Sequence, residues 1–176
     1  MALRYAYNYP HYFFTDPEYR KMPDHMIQEG ILISVNEDLP PEHDLSHLPA
    51  ELPILKVKFT DQIREKIVEE RGTLKPISAE IATQILTFVN QHSARLYVLI
   101  HCHAGVSRSA SIALALHFTH GMQLRPAFYN YSQPDPLIVG EMVLAHHRLA
   151  DIRDKEENPS AIILPRYFWP DGEKAG

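Results

Sequence analysis

The sequence predicts an α/β fold in which helices flank a central, mostly parallel sheet, giving three layers. The first observation is the continuous apolar run at residues 96–100, which is typical of a strand buried on both faces of a sheet. The second is the segment 107–120, which is apolar almost all round and stops at Gly121, as expected for a buried helix. A short turn joins the two, so we expect a loop between a buried strand and a buried helix at the centre of the domain.

The chain before this strand contains two further strand patterns. Residues 30–35 form an apolar run, and residues 54–59 alternate apolar and polar side chains. Prolines punctuate residues 40–53 between them, and the highly charged residues 62–76 predict a surface loop or a short helix. The aromatic segment 5–14 is expected to form a hydrophobic flap packed on the core, rather than to line an entrance.

Helical patterns surround the buried strand. Ser78 can cap a helix that runs to about residue 92, with apolar positions at steps of four and three. Residues 125–131 and 137–150 are also helical in pattern, separated by a turn rich in proline. The tail at residues 161–169 is apolar and aromatic, and we expect it to pack back on the body.

Length and charge restrict the possible functions. A chain of 176 residues has the size of one domain with a hydrophobic core, so we expect a single domain over residues 1–176. The net charge of -5 argues against a nucleic-acid partner, because proteins that bind nucleic acids usually carry a basic surface. No apolar stretch approaches the length of a membrane span or a signal peptide, so we expect no membrane partner and a cytoplasmic location.

The segment His101-Cys-His-Ala-Gly-Val-Ser-Arg-Ser109 has the strand, loop and helix order that forms an anion cradle. Backbone N–H groups of such a loop can converge on one point, and the amino terminus of the following helix adds positive potential there. Gly105 permits the tight turn. The segment therefore predicts a phosphate site that needs no metal.

Cys102 is the single cysteine of the chain. A lone cysteine is more often a small buried hydrophobe than a reactive group, so its neighbours have to decide its role. Here the N–H donors and the guanidinium of Arg108 both favour the thiolate, which is a nucleophile at neutral pH. Arg108 can also hold two phosphate oxygens in a planar fork, which a lysine could not do.

Cys102, five further residues, Arg108 and then Ser109 resemble the signature loop of protein tyrosine and dual-specificity phosphatases. The resemblance covers about residues 30–150, which we expect to form the catalytic core, between an aromatic segment at 1–29 and a tail at 151–176. It implies that Cys102 attacks phosphorus to form a phosphocysteine and that the Ser109 hydroxyl helps the sulfur leave in the second step. Substrate binding is then assigned to His103, Ala104, Gly105, Val106, Ser107 and Arg108.

The resemblance also implies a general acid upstream of the nucleophile, and Asp61 at the end of the second predicted strand matches it. The alternatives are that Asp61 is a solvated or turn-forming residue and that Ser109 is an ordinary residue of a first helical turn. His101 is expected to support the loop and the thiolate rather than to carry protons. Asp135 stands where related phosphatases often place an asparagine that braces the loop, and this departure leaves it outside the predicted catalytic set.

These residues imply hydrolysis of phosphomonoesters, with phosphotyrosine in proteins favoured over phosphoserine or phosphothreonine and with no cofactor. The loop interior has no lysine, which disfavours polyanionic substrates such as a phosphoinositide or an RNA 5′ end. A catalytically weak module that binds phosphoproteins is the alternative of another class. The eleven histidines do not predict a metal site, because the adjacent pairs lack the helical spacing with a glutamate that hydrolytic zinc sites show.

Overall fold

The structure is a computed structural model that describes residues 4–15, 22–36, 44–60, 76–125 and 128–157. Within these residues the elements are, in chain order, β1 (Tyr5–Pro10), α1 (Tyr12–Thr15), α2 (Asp24–Gln28), β2 (Gly30–Asn36), β3 (Ile54–Lys58), α3 (Ala79–Gln91), β4 (Tyr97–Cys102), α4 (Arg108–His120), β5 (Gln123–Leu124), α5 (Phe128–Tyr131) and α6 (Pro136–Glu157).

The five strands form one sheet in the order β3-β2-β4-β1-β5, and every neighbouring pair is parallel. Each residue of β2 is buried, and so are the last five residues of β4. Continuous burial is the expected state of central strands in a parallel sheet, since both faces are covered. The predicted fold class is confirmed.

Alternate residues of the central strands face two different cores. Ile31 and Ile33 join the larger cluster, which α3, α4 and α6 cover. Leu32, between them, joins a smaller cluster with residues of α1, α2 and the loop at 44–52. This alternation is the period of two that strands impose. The sheet therefore lies between a layer of long helices and a thinner layer of short elements.

The aromatic segment packs on a hydrophobic cluster as expected, but the expected flap is wrong, because Tyr5–Pro10 is a strand inside the sheet. β1 pairs with β4 from Tyr5↔Tyr97 to Pro10↔Cys102 and holds β5 on its other side. Its tyrosines alternate with Ala6 and Asn8, and these two smaller residues are buried while the tyrosines are only partly covered. The sheet thus begins well before residue 30, where we expected the catalytic core to start.

The predicted helix signals are largely confirmed. The side chain of Ser78 accepts a hydrogen bond from the Ile81 backbone N–H at 3.3 Å, and Gly121 ends α4 with φ of 63°. The helical pattern at 137–150 is part of the longer α6, whereas only Phe128–Tyr131 is helical in the segment expected at 125–131. None of the helices described here has the length and apolar character required to cross a membrane.

Candidate active site

The predicted cradle lies where β4 ends and α4 begins. Cys102 is the last residue of β4, Arg108 is the first of α4, and the loop between them passes the carboxyl end of β1. Gly105 has φ of 70°, and a Cβ added there would lie 2.4 Å from the backbone nitrogen of Pro10. Backbone atoms cannot move aside as a flexible side chain can, so this position requires glycine for both its conformation and its space.

Four carbonyl oxygens of the loop accept hydrogen bonds from residues outside the loop, and the last of them makes the first hydrogen bond of α4. The carbonyl of His103 accepts from the backbone N–H of His11 at 3.3 Å and from its Nδ1 at 2.8 Å. The carbonyl of Gly105 accepts from Asn8 Nδ2 at 2.8 Å, and that of Val106 accepts from the Gln133 N–H at 2.9 Å. The carbonyl of Ser107 accepts from the Ser111 N–H at 2.7 Å and from its Oγ at 2.8 Å.

These outward carbonyls define the direction of the loop's N–H groups. In a planar trans peptide the N–H of one residue points opposite to the C=O of the residue before it. The N–H groups of Ala104, Val106, Ser107 and Arg108 therefore point to the inner side of the loop, next to the amino terminus of α4. Converging N–H groups at a helix start can bind an anion, so this backbone geometry is compatible with the predicted phosphate site, which stays a prediction.

Cys102 and Ser109 meet at the floor of the cradle. The Cys102 Sγ lies 3.2 Å from the Ser109 Oγ, and both side chains are buried. A serine hydroxyl in this position can donate to the sulfur when the sulfur carries negative charge. The structure thus brings together two of the predicted catalytic residues, seven positions apart in the chain.

Arg108 is 3% exposed, and its Nη1 donates to the carbonyl of Phe59 at 3.3 Å. Phe59 follows β3, and its own N–H donates to Asn36 O at the end of β2. The guanidinium is therefore held at the carboxyl edge of the sheet, the edge at which Cys102 ends β4. Asp61 comes two positions after Phe59 and lies outside the described residues, as do residues 62–75 of the predicted charged loop and the tail at 161–169.

His101 and His103 occupy opposite environments. His101 is fully buried, with its ring stacked on Phe14 at 5.0 Å between centroids. His103 is exposed at the rim of the cradle, where its ring stacks on His11 at 4.7 Å. A supporting role for His101 is compatible with this burial and stays a prediction, and so does the substrate-binding role expected for His103.

Asp135 is buried and acts as a helix cap. One of its carboxylate oxygens accepts from the Leu137 N–H at 2.9 Å, as expected for the residue before α6, and Pro136 fills the first helical position. The Asp135 N–H donates to Ser111 Oγ at 2.7 Å, and the Ser111 hydroxyl in turn donates to Ser107 O. Ser111 thus links the backbone of Asp135 to Ser107 of the loop, and the place of Asp135 outside the predicted catalytic set stays a prediction.

The sequence interpretation missed Asn8. Its side chain is fully buried and donates to Gly105 O and to Ser132 Oγ, at 2.8 and 2.9 Å. A signal was present, since asparagine is depleted in strands and here stands in a strand pattern of alternating tyrosines. A buried polar side chain in such a strand needs a partner, and the partner is the cradle.

The described residues contain no group of three or more His, Cys, Asp or Glu side chains that could hold a metal ion. The described part of the candidate site consists of the Cys102 thiol, the Ser109 hydroxyl, the Arg108 guanidinium and the backbone N–H groups of the loop. This set can bind and attack a tetrahedral oxyanion.

No protein-family model matches the chain, and no curated protein matches it. Similar solved structures include a human tyrosine phosphatase-like serine/threonine/tyrosine-interacting protein, with 19% identity over 83% of this chain and 91% of that one, at a TM-score of 0.44. PTPMT1 in complex with PI(5)P shows 16% identity over 70% and 80%, at 0.43. Tk-PTP in the active form shows 17% identity over 89% and 94%, also at 0.43. At these TM-scores the likenesses carry no argument about activity, which has to come from the site residues.

Proposed function

We propose that this chain is a cysteine-dependent phosphatase that hydrolyses phosphomonoesters, first of all phosphotyrosine in proteins. The observation that carries the proposal is the 3.2 Å contact between Cys102 Sγ and Ser109 Oγ at the floor of a loop whose carbonyls face outward. A structural cysteine would need neither a hydroxyl beside its sulfur nor a ring of inward N–H groups.

In the first chemical step the cradle N–H groups and Arg108 hold the phosphate oxygens. A lone pair of the Cys102 thiolate forms the S–P bond, and the P–O bond to the leaving group breaks with its electron pair on oxygen. Asp61, assigned by the family resemblance, gives its proton to that oxygen. Arg108 stays charged throughout, so it stabilises the charge that develops on the transferring group.

In the second step water replaces the sulfur. Asp61, now a carboxylate, takes a proton from the water as its oxygen attacks phosphorus. The S–P bond breaks with its electron pair on sulfur, and the Ser109 hydroxyl donates to the thiolate that forms. Inorganic phosphate leaves, and the enzyme returns to its starting state.

The rim of the cradle supports an aryl phosphate as substrate. The stacked rings of His11 and His103 lie there, and Tyr12, 43% exposed, packs edge-on against His11 at 6.2 Å. Flat aromatic faces beside a phosphate site can contact the ring of phosphotyrosine. Residues 103–107 contain no lysine or arginine that would bind additional phosphate groups.

The first experiment compares the wild type with Cys102→Ser on p-nitrophenyl phosphate, in thiol and a chelator, from about pH 5 to 8. We expect metal-independent turnover by the wild type and a loss of at least about 10³-fold in Cys102→Ser, because the nucleophile is removed. Circular dichroism of the variant controls for folding. Equal turnover by the two proteins would refute the cysteine mechanism, and binding of a phosphotyrosine peptide without turnover would make the chain a phosphoprotein-binding module.

To determine the substrate class, we measure the hydrolysis of five phosphomonoesters at equal concentration. They are a phosphotyrosine peptide, its phosphoserine and phosphothreonine versions, a short-chain phosphoinositide and a 5′-phosphorylated RNA oligonucleotide. We expect the highest kcat/KM with the phosphotyrosine peptide. A preference for the phosphoinositide or the RNA would keep the chemistry and correct the substrate.

A further inference from the structure

We propose that Asn8 is a positioning residue of the cradle, which fixes the peptide between Gly105 and Val106 in the orientation that binds an anion. Its effect on catalysis rests on the proposed function, but its effect on anion binding can be measured without turnover. Asn8 touches no reacting atom, since it lies behind the loop in β1.

The amide of Asn8 has a defined orientation. Its Nδ2 carries two hydrogens, and the two atoms that it contacts are Gly105 O at 2.8 Å and Ser132 Oγ at 2.9 Å. A backbone carbonyl only accepts hydrogen bonds, so the nitrogen and not the oxygen of the amide has to face Gly105. The side chain thus uses both donors at once, in a site from which solvent is excluded.

The hydrogen bond from Asn8 restricts the peptide that follows Gly105. Only glycine fits at φ of 70° against Pro10, but glycine also has the widest choice of backbone conformations. A flip of the peptide after Gly105 would turn its carbonyl inward and the Val106 N–H outward. The cradle would then present an acceptor to the phosphate in place of a donor, and the hydrogen bond from Asn8 opposes this flip.

The second donor of Asn8 extends the support to the next carbonyl. Ser132 accepts from Asn8, and the N–H of the following residue, Gln133, donates to Val106 O at 2.9 Å. Asn8 and residues 132–133 therefore hold two consecutive carbonyls on the outer side of the loop. The asparagine that braces the loop comes from β1, whereas the family resemblance placed such a residue at position 135.

The test uses Asn8→Ala with Ala6→Gly as its matched control. Ala6 is buried on the same face of β1, two residues away, so its substitution also weakens a buried part of the strand. We measure the affinity for tungstate by calorimetry, kcat/KM for p-nitrophenyl phosphate, and the melting temperature. We expect Asn8→Ala to lose about tenfold to a hundredfold in tungstate affinity and in kcat/KM, and Ala6→Gly to keep both despite a lower melting temperature.

A second variant separates positioning from packing. Asn8→Asp keeps the shape of the side chain, but an ionised carboxylate repels Gly105 O, whereas a protonated one donates to it. The activity of Asn8→Asp relative to the wild type should therefore rise as the pH falls from 7 to 5, which a packing defect would not produce. This ratio can be measured even if Asn8→Ala does not fold.

The outcomes distinguish the two proposals. A folded Asn8→Ala that binds tungstate as the wild type does, or a flat ratio for Asn8→Asp, would overturn the role of Asn8 and leave the phosphatase proposal standing. A wild type that binds tungstate without turnover would refute the phosphatase proposal, while the tungstate affinities would still decide the role of Asn8. A wild type that neither turns over nor binds tungstate would overturn both.

Discussion

Ser109 can act in two ways, because it lies in the first turn of α4 and also contacts Cys102, the proposed nucleophile. If the contact matters for chemistry, Ser109→Ala should slow the release of phosphate from Cys102 more than its transfer to Cys102. We expect kcat to fall about tenfold to a hundredfold and rapid mixing to show a burst of p-nitrophenol. Ser109→Thr keeps the hydroxyl and should restore part of the rate. A loss of kcat without a burst would assign Ser109 to the helix alone.

Alanine substitutions at Gly105 and Gly121 can separate the steric effect of an added Cβ from the backbone strain of a positive φ. Both have positive φ, but a Cβ at Gly121 meets no atom within 4 Å, while one at Gly105 meets the backbone of Tyr9 and Pro10. Gly121→Ala should cost ~1 kcal/mol of unfolding free energy, from backbone strain alone. Gly105→Ala should cost ~2 kcal/mol more and abolish tungstate binding. Urea titration measures the free energy of unfolding of each variant. Equal losses of this free energy in Gly105→Ala and Gly121→Ala would mean that the loop adjusts to the added methyl group.

We expect the junction of α3, α4 and α6 around His120 to lose stability in acid. His120 ends α4, and its ring nitrogens lie 3.0 Å from Asn90 Oδ1 of α3 and 2.7 Å from Thr119 Oγ1. The ring of His146 in α6 is 5.4 Å away. Burial, followed by the charges of His146 and Arg4, lowers the pKa of His120 to about 4, and burial also lowers the pKa of His146.

The lowered pKa of His120 should make the folded protein less stable in acid. Between the unfolded pKa near 6.5 and the folded pKa of about 4, the unfolded chain binds a proton that the folded chain resists, so stability falls as the pH falls. Because the ring is partly exposed to solvent, we expect a loss of only ~1–2 kcal/mol. Urea titrations from pH 7 to pH 4.5 should show a shallower loss for His120→Gln than for the wild type. His25→Gln, at an exposed histidine in α2, is the control, and identical slopes for all three proteins would contradict the prediction.

At the level of elements, the sequence predicts what depends on local pattern. Three such features lie where they were expected: the apolar run of β4, the helix cap at Ser78 and the helix end at Gly121. Each depends only on residues that are close in the sequence. The floor of the site is equally local, because Cys102 and Ser109 are close in the chain. β1 was missed, since its aromatic residues matched a flap as well as a strand and its partners lie far along the sequence.

For the whole molecule, the parts that could not be predicted are those that long-range pairing creates. Asn8 and Gly105 are 97 positions apart, and no spacing rule connects them. The stacking of His11 on His103 and the bond from Arg108 to Phe59 have the same origin. The motif therefore predicts the chemistry, while the sheet order determines which side chains surround the loop.

The position of β1 in the sheet also has a kinetic consequence. Its two neighbours, β4 and β5, belong to the second half of the chain, so a ribosome makes β1 long before either partner exists. Pairing across so long a stretch of chain is slow, so we expect the tyrosine-rich strand to stay unpaired at least until β4 has emerged. We therefore expect β1 to join the sheet late in folding, and a nascent chain that ends before residue 97 lacks both strands that pair with β1.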